Sequence, residues 1–189
     1  MVNRNSRLDL TRINLLAVED NPQAMEVMSQ ILMGFGVVHA TKCVDTAEAI
    51  QKAGARQFDL VLADDDPLTQ GGLELLRALR GDPSGPNYTV HVLLLSANTS
   101  EARVIAARDA GASFIVAKPL SPRTLLTRIE WIARNNRSFV TSEGYRGPDR
   151  RFKSQGVPDG LEERRADALK LIASPERQLE QAEIDSLFG

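Results

Sequence analysis

The feature that most constrains this chain is a strict alternation, up to about residue 135, between short apolar runs and segments of helical periodicity. Runs of strand length lie at Ile13 to Val18 (broken only by Asn14), Val37 to Lys42, Phe58 to Ala63, Val90 to Leu95 and Phe114 to Ala117. Between them apolar residues recur three and four apart: Met25, Met28, Ile31 and Leu32; Leu75, Leu76 and Leu79; Leu125, Ile129 and Ile132. That spacing stacks side chains on one face of a helix. Start and stop signals agree with it. Pro22 and Pro122 suit a first helical turn, Asp45 with Glu48 makes a capping box, and Gly54 and Gly111 close helices. The strands are apolar along their length, as expected when both faces of a sheet are covered. Five strands and five helices in this order predict an α/β fold, a doubly wound five-stranded parallel sheet with helices on both faces.

A length of 189 residues allows one good core with an appendage rather than two full domains. Residues 136–160 lose all periodicity: Gly144, Gly147, Pro148, Gly156, Pro158 and Gly160 interrupt them, and Arg146, Arg150, Arg151 and Lys153 cluster there. They read as a Gly/Pro/Arg-rich linker or arm. Residues 161–189 read as a short helical tail, with a helix over Leu161 to Ala173, a second start at Ser174-Pro175 and an apolar stripe of Ile184, Leu187 and Phe188. Helices this short build no core of their own, so they must dock or stay partly disordered.

A formal net charge of −2 gives no general reason to expect nucleic-acid or membrane binding. No stretch approaches the ~20 apolar residues of a spanning helix, and the lone Cys43 fits a reducing cytoplasm. The sequence therefore predicts a cytoplasmic protein with no DNA and no membrane partner. His39 and His91 have no metal-like spacing, and Trp131 falls on a helix as a packing residue.

Binding sites of doubly wound sheets form at the carboxyl ends of the strands. Here the first strand runs into Glu19-Asp20, the third into Asp64-Asp65-Asp66, the fourth into Ser96 and the fifth into Lys118-Pro119. Carboxylates that converge repel one another unless a cation neutralises them, and carboxylate oxygens without His or Cys suit Mg2+. An aspartate in such a place can be a nucleophile toward phosphorus, with a lysine and a hydroxyl pairing the phosphoryl oxygens. Both Asp64 and Asp65 are candidate acceptors, and strand alternation from Asp59 favours Asp64.

The stretches LLAVEDN, FDLVLADDDPLTQGGLELLRALR, VLLLSAN and DAGASFIVAKPL resemble the receiver domain of two-component response regulators, a flavodoxin-like fold, over residues 11–135. The resemblance implies that Asp64 is the phosphoacceptor, Glu19 and Asp20 the acidic pair, Ser96 the switch hydroxyl and Lys118 the family's lysine. It further implies Mg2+ held by Asp20, Asp64 and the carbonyl of Asp66, with Glu19 acting through water. The phosphodonor would be a histidine kinase or phosphotransfer protein. The result would be a signalling protein rather than an enzyme.

Two departures stand out. The loop after the acceptor carries Pro67-Leu68 and Gly71-Gly72 where the family has Met-Pro and Asp-Gly, and Ile115 takes the place of an aromatic switch residue. They keep open a pseudo-receiver, an interaction scaffold that is never phosphorylated. A metal-dependent phosphatase using Asp66 as second acid is another alternative. The terminal LEQAEIDSLFG resembles the N-terminal peptide of flagellar motor switch proteins. That resemblance implies a chemotaxis setting and a helix docking in a receiver groove: this chain's own, that of a second copy in a homodimer, or another receiver's. The arginine cluster reads as a solvated arm, with a cyclic dinucleotide as the alternative ligand.

Overall fold

The computed structural model describes residues 8–66, 71–135, 137–149 and 178–188. Pro67 and Leu68, Arg150, Arg151 and Lys153, the helix expected over 161–173 and the start at Ser174-Pro175 lie outside the described residues. Strands and helices alternate: β1 Asn14–Val18, α1 Pro22–Gly34, β2 His39–Cys43, α2 Thr46–Ala55, β3 Leu60–Asp64, α3 Gly71–Gly81, β4 His91–Ser96, α4 Glu101–Asp109, β5 Phe114–Ala117 and α5 Pro122–Arg134. The five strands form one parallel sheet in the order β2-β1-β3-β4-β5. This is the doubly wound α/β architecture that the alternation demands.

Capping explains the helix starts. Asn21 Oδ1 accepts from the backbone N–H groups of Gln23 and Ala24, Asp45 Oδ1 from that of Glu48, and Ser121 Oγ from that of Thr124. The central strands β1, β3 and β4 are buried on both faces, with Leu15, Leu16, Val61, Leu62, Leu93 and Leu94 all fully enclosed. Each such side chain contributes roughly 1.5–3 kcal/mol relative to exposure.

Four strands start one or two residues later than their apolar runs suggest, and in β2, β3 and β4 the reason is common. Val37, Phe58 and Val90 are buried, but their N–H groups bond outside the sheet. Val37 N donates to Leu32 O, Phe58 N to the Asn87 side chain and Val90 N to Asn87 O. The edge strand β2 is half-buried rather than enclosed, and it carries the polar sequence His-Ala-Thr-Lys-Cys.

Beyond residue 135 the segment read as a linker or arm contains an antiparallel hairpin, β6 Phe139–Ser142 with β7 Tyr145–Pro148. Near the terminus α6 spans Gln181–Phe188 and packs its buried Ile184 and Phe188 into the core. Among the described residues no helix is long and apolar enough to cross a membrane.

Candidate metal centre at the carboxyl edge of the sheet

Strand register assembles the site. Val18 lies opposite Ala63, Ala63 opposite Leu94, and Leu94 opposite Ile115, so one row crosses four strands. Within two or three residues beyond that row come Glu19 and Asp20, Asp64, Ser96 and Lys118. Ligand oxygens of Glu19, Asp20 and Asp64 all lie within 4.8 Å of one another. Lys118 Nζ reaches 2.6 Å from Asp64 Oδ1 and 2.9 Å from Glu19 Oε2. Glu19 is buried, Asp64 half-buried and Asp20 exposed, so the cluster opens to solvent on one side. A cleft of about 330 Å³ between α1 and the β5–α5 turn reaches it, lined among others by Glu19, Asn21, Lys118 and Leu120.

Three carboxylates face one ammonium, and the titration behaviour shows the imbalance. Burial, opposed by the bond to Lys118 and helped by the charges of Glu19 and Asp20, holds the Asp64 carboxyl above its ordinary range. Burial alone would lower Lys118, but its bonds to Asp64 and Glu19 outweigh that and raise it. A divalent cation would supply the missing charge. The donor set is all oxygen and partly open, as Mg2+ requires. The residues present therefore fit the ion.

Ser96 is fully buried, and its hydroxyl bridges its own loop to the residue after Asp64. Oγ lies 3.0 Å from Asp65 O and 3.1 Å from Asn98 O, and accepts from Asn98 N at 3.2 Å. Asp66 is half-buried at the lip, and the three-carboxylate cluster does not include its side chain. Gly72 lies in the first turn of α3 against the site: a Cβ there would lie 2.6 Å from Asp64 O, so its lack of a side chain lets the helix approach β3.

Asp64 and Asp65 have different surroundings. Asp65 is fully buried, and Arg103 on α4 grips it with two bonds of 2.5 and 2.7 Å. Sequence reasoning missed Arg103, which lies 38 residues away with no local signal. Its pairing leaves Asp64 alone facing Lys118 and the acidic pair. His91 is bonded to Ser113 through Nδ1 as a structural residue, and Trp131 packs edge-on against Phe114. Arg146 donates to Arg80 O.

A family profile described as the response regulator receiver domain matches residues 15–130. The DNA-binding response regulator MtrA of Mycolicibacterium smegmatis is 30% identical over 129 residues, covering 68% of this chain and 54% of that protein. The chain thus spans about half the length of this curated relative. Among solved structures, a response regulator from Chloroflexus aurantiacus superposes with a TM-score of 0.59 at 27% identity, covering 65% of this chain and 98% of that one. The Vibrio cholerae chemotaxis protein CheY4 gives 0.56 at 27%, covering 64% and 98%. The receiver domain of the Pseudomonas aeruginosa sensor histidine kinase PA1611, with a magnesium ion coordinated in its active-site cleft, gives 0.56 at 25% with the same coverage.

Fold and acidic edge thus define a receiver. The chain belongs to the response regulator receiver domain family, and residues 15–130 are the part of it that carries the family's pattern.

Proposed function

We propose that Asp64 is the phosphoacceptor of a two-component pathway, working with Mg2+ and taking its phosphoryl group from a histidine kinase or phosphotransfer protein. The observation that carries this reading is Lys118 Nζ 2.6 Å from Asp64 Oδ1, inside a cluster of carboxylates that fits a divalent ion. The magnesium-bound receiver of PA1611 supports the same ion here.

In the step proposed, an Asp64 oxygen attacks phosphorus as the P–N bond of a phosphohistidine breaks. The bond pair leaves on the imidazole nitrogen, which takes a proton from solvent. Bound Mg2+ would screen the phosphoryl oxygens, held by Asp20, Asp64 and the Asp66 carbonyl with Glu19 acting through water. Lys118 stabilises the charge that develops on one oxygen and orients the nucleophile. The Ser96 hydroxyl, once turned from its loop, donates to another. The cleft beside Glu19 and Lys118 gives the donor its approach.

On this reading the chain is a cytoplasmic signalling protein that acts through protein contacts, with no turnover of an external substrate. A scaffold that is never phosphorylated has no call for a retained acidic pair, hydroxyl and lysine around one carboxylate, and the reading gains nothing from it. Intact mass after incubation with acetyl phosphate tests the proposal. A gain of one phosphoryl group that needs Mg2+ and is absent in Asp64→Asn is expected. An unmodified chain under donors of several kinds would sink it.

A further inference from the structure

The face made by α4, β5 and α5 is occupied by the chain's own residues 178–188. β5 is an edge strand, and its outer groups are paired by one side chain of α6. Gln181 Oε1 accepts from Ala117 N at 2.8 Å while Nε2 donates to Ile115 O at 2.9 Å. The carboxamide thus mimics a rung of an added strand. Ile184 is fully buried and Phe188 nearly so, with Phe188 5.8 Å from the Phe114 ring. Asp185 pairs with Arg128, a guanidinium that burial pushes down and that also lies over Phe114. An amide, a carboxylate and two apolar anchors at helical spacing make a specific ligand of this surface.

The anchors of the segment touch the residues that flank the site. Thr99 holds its root three times over. Thr99 N donates to Gln178 Oε1 at 2.7 Å, Leu179 N to Thr99 O at 2.7 Å, and Thr99 Oγ1 to Leu179 O at 2.8 Å. Thr99 stands three residues after Ser96, whose hydroxyl ties the same loop through Asn98 and Asp65. At the other anchor, Ala117 directly precedes Lys118. Arg103 adds a third tie, from Asp65 into α4.

We propose that residues 178–188 are a built-in ligand of the α4–β5–α5 face, and that phosphorylation of Asp64 releases them through the Ser96–Ser100 loop. The docked arrangement uses the Ser96 hydroxyl as a loop tie. A phosphoryl group on Asp64 competes for that hydroxyl, the loop loses its tie, and the triple hold of Thr99 weakens. The released face then exposes Phe114, Arg128 and the β5 edge to a partner. Two states that share one hydroxyl are coupled, and the coupling is reciprocal, so freeing the tail must shift the equilibrium toward the phosphorylated form by the same factor. Ile115 buries no aromatic switch ring, and the tail supplies the phosphorylation-sensitive contact in its place.

This inference rests on the phosphoacceptor reading, and one experiment separates the two. Full-length protein is treated with acetyl phosphate and Mg2+, and intact mass and peptide hydrogen exchange are read on the same samples. The expected result is a tenfold or greater rise in exchange over 178–188 and 114–118 as the phosphoryl mass appears, with neither change in Asp64→Asn. Ile184→Asp should show that fast exchange without donor, and should reach a severalfold higher ratio of phosphorylated to unphosphorylated chain at a fixed, limiting donor concentration. Full phosphoryl gain with unchanged or slower exchange over 178–188 overturns the release while leaving the phosphoacceptor intact. No mass gain sinks both the phosphoacceptor and the coupling, and exchange in Ile184→Asp then still decides whether the segment docks.

Discussion

Two elements outside the receiver pattern dock on it, the β6–β7 hairpin and α6, and they do so by opposite means. The hairpin is clasped through backbone. Gly111, at φ +94°, leaves no room for a Cβ, which would collide with Arg146 O, and a Cβ on Gly147 would come within 2.6 Å of the Gly111 Cα. Beneath the clasp lies Arg80, 4% exposed, whose guanidinium is satisfied by carbonyls alone: Tyr88 O at 2.6 Å, Val90 O at 2.7 Å and Gly111 O at 3.1 Å. Burial pushes that guanidinium down to about 10, and its charge also sits 5.1 Å from the Phe139 ring. In contrast, α6 is held by the Gln181 carboxamide on the β5 edge, the Asp185–Arg128 pair and two apolar anchors. On the release proposed above, the hairpin contact is permanent and the α6 contact reversible.

The sharpest way to break that contrast is Arg80→Ala. Three buried carbonyls would lose their donor at about 1–3 kcal/mol each, and the hairpin would lose the cation under Phe139. A global loss on the order of 3 kcal/mol is expected in denaturant titration. A loss under ~1 kcal/mol would show that the carbonyls of Tyr88, Val90 and Gly111 do not depend on the Arg80 guanidinium. Gly147→Ala should follow at about 1–3 kcal/mol, the usual cost of forcing extra atoms into a packed contact.

At the opposite end of the sheet the cation is shared by carboxylates, and Lys118→Met sharpens the comparison. It leaves Glu19 and Asp64 facing each other without the ammonium. Because Glu19 is buried while the lysine is partly exposed, loss of the ammonium costs about 1–3 kcal/mol in EDTA. Phosphorylation should nevertheless drop steeply. The pH response runs opposite to that of an ordinary salt-bridged aspartate. The folded-state value of Asp64 lies above the unfolded 3.8, so the folded chain binds the proton more tightly between those two values. In EDTA, wild type should therefore gain stability relative to Asp64→Asn as pH falls through that window, and lose the gain as pH rises again. Parallel curves for the two proteins would show that Asp64 is not held high.

How much of this was legible in the sequence depends on the range of the interaction. The sheet and its acidic edge were readable because apolar runs and caps are local, and because parallel register forces strand ends into one line. Asp64 was separable from Asp65 only weakly, since the deciding partner, Arg103, is distant in the chain. Gly144, Gly147 and Pro148 look like breakers, so the sequence reads as an arm where the structure has a hairpin. Gly144 makes the turn, and Gly147 is what a close backbone approach requires. Phe139, Val140 and Thr141 were the available strand signal. The apolar stripe of Ile184, Leu187 and Phe188 announced a docking helix, but no periodicity names the surface that takes it.

The smallest expected effect tests the other half of the comparison. Phe188→Ala removes a buried ring that stacks near Phe114, a change that costs about 3–5 kcal/mol in a rigid core. If α6 is reversible, the loss cannot exceed the free energy of undocking, because the segment can simply leave while the sheet stays folded. Global stability should then fall by less than ~1 kcal/mol, while amide exchange at Ala117 and Leu179, both bonded across this contact, accelerates severalfold. A loss of the full core magnitude would make α6 as permanent as the hairpin. A surface locked in that way could not be opened by a single phosphoryl group.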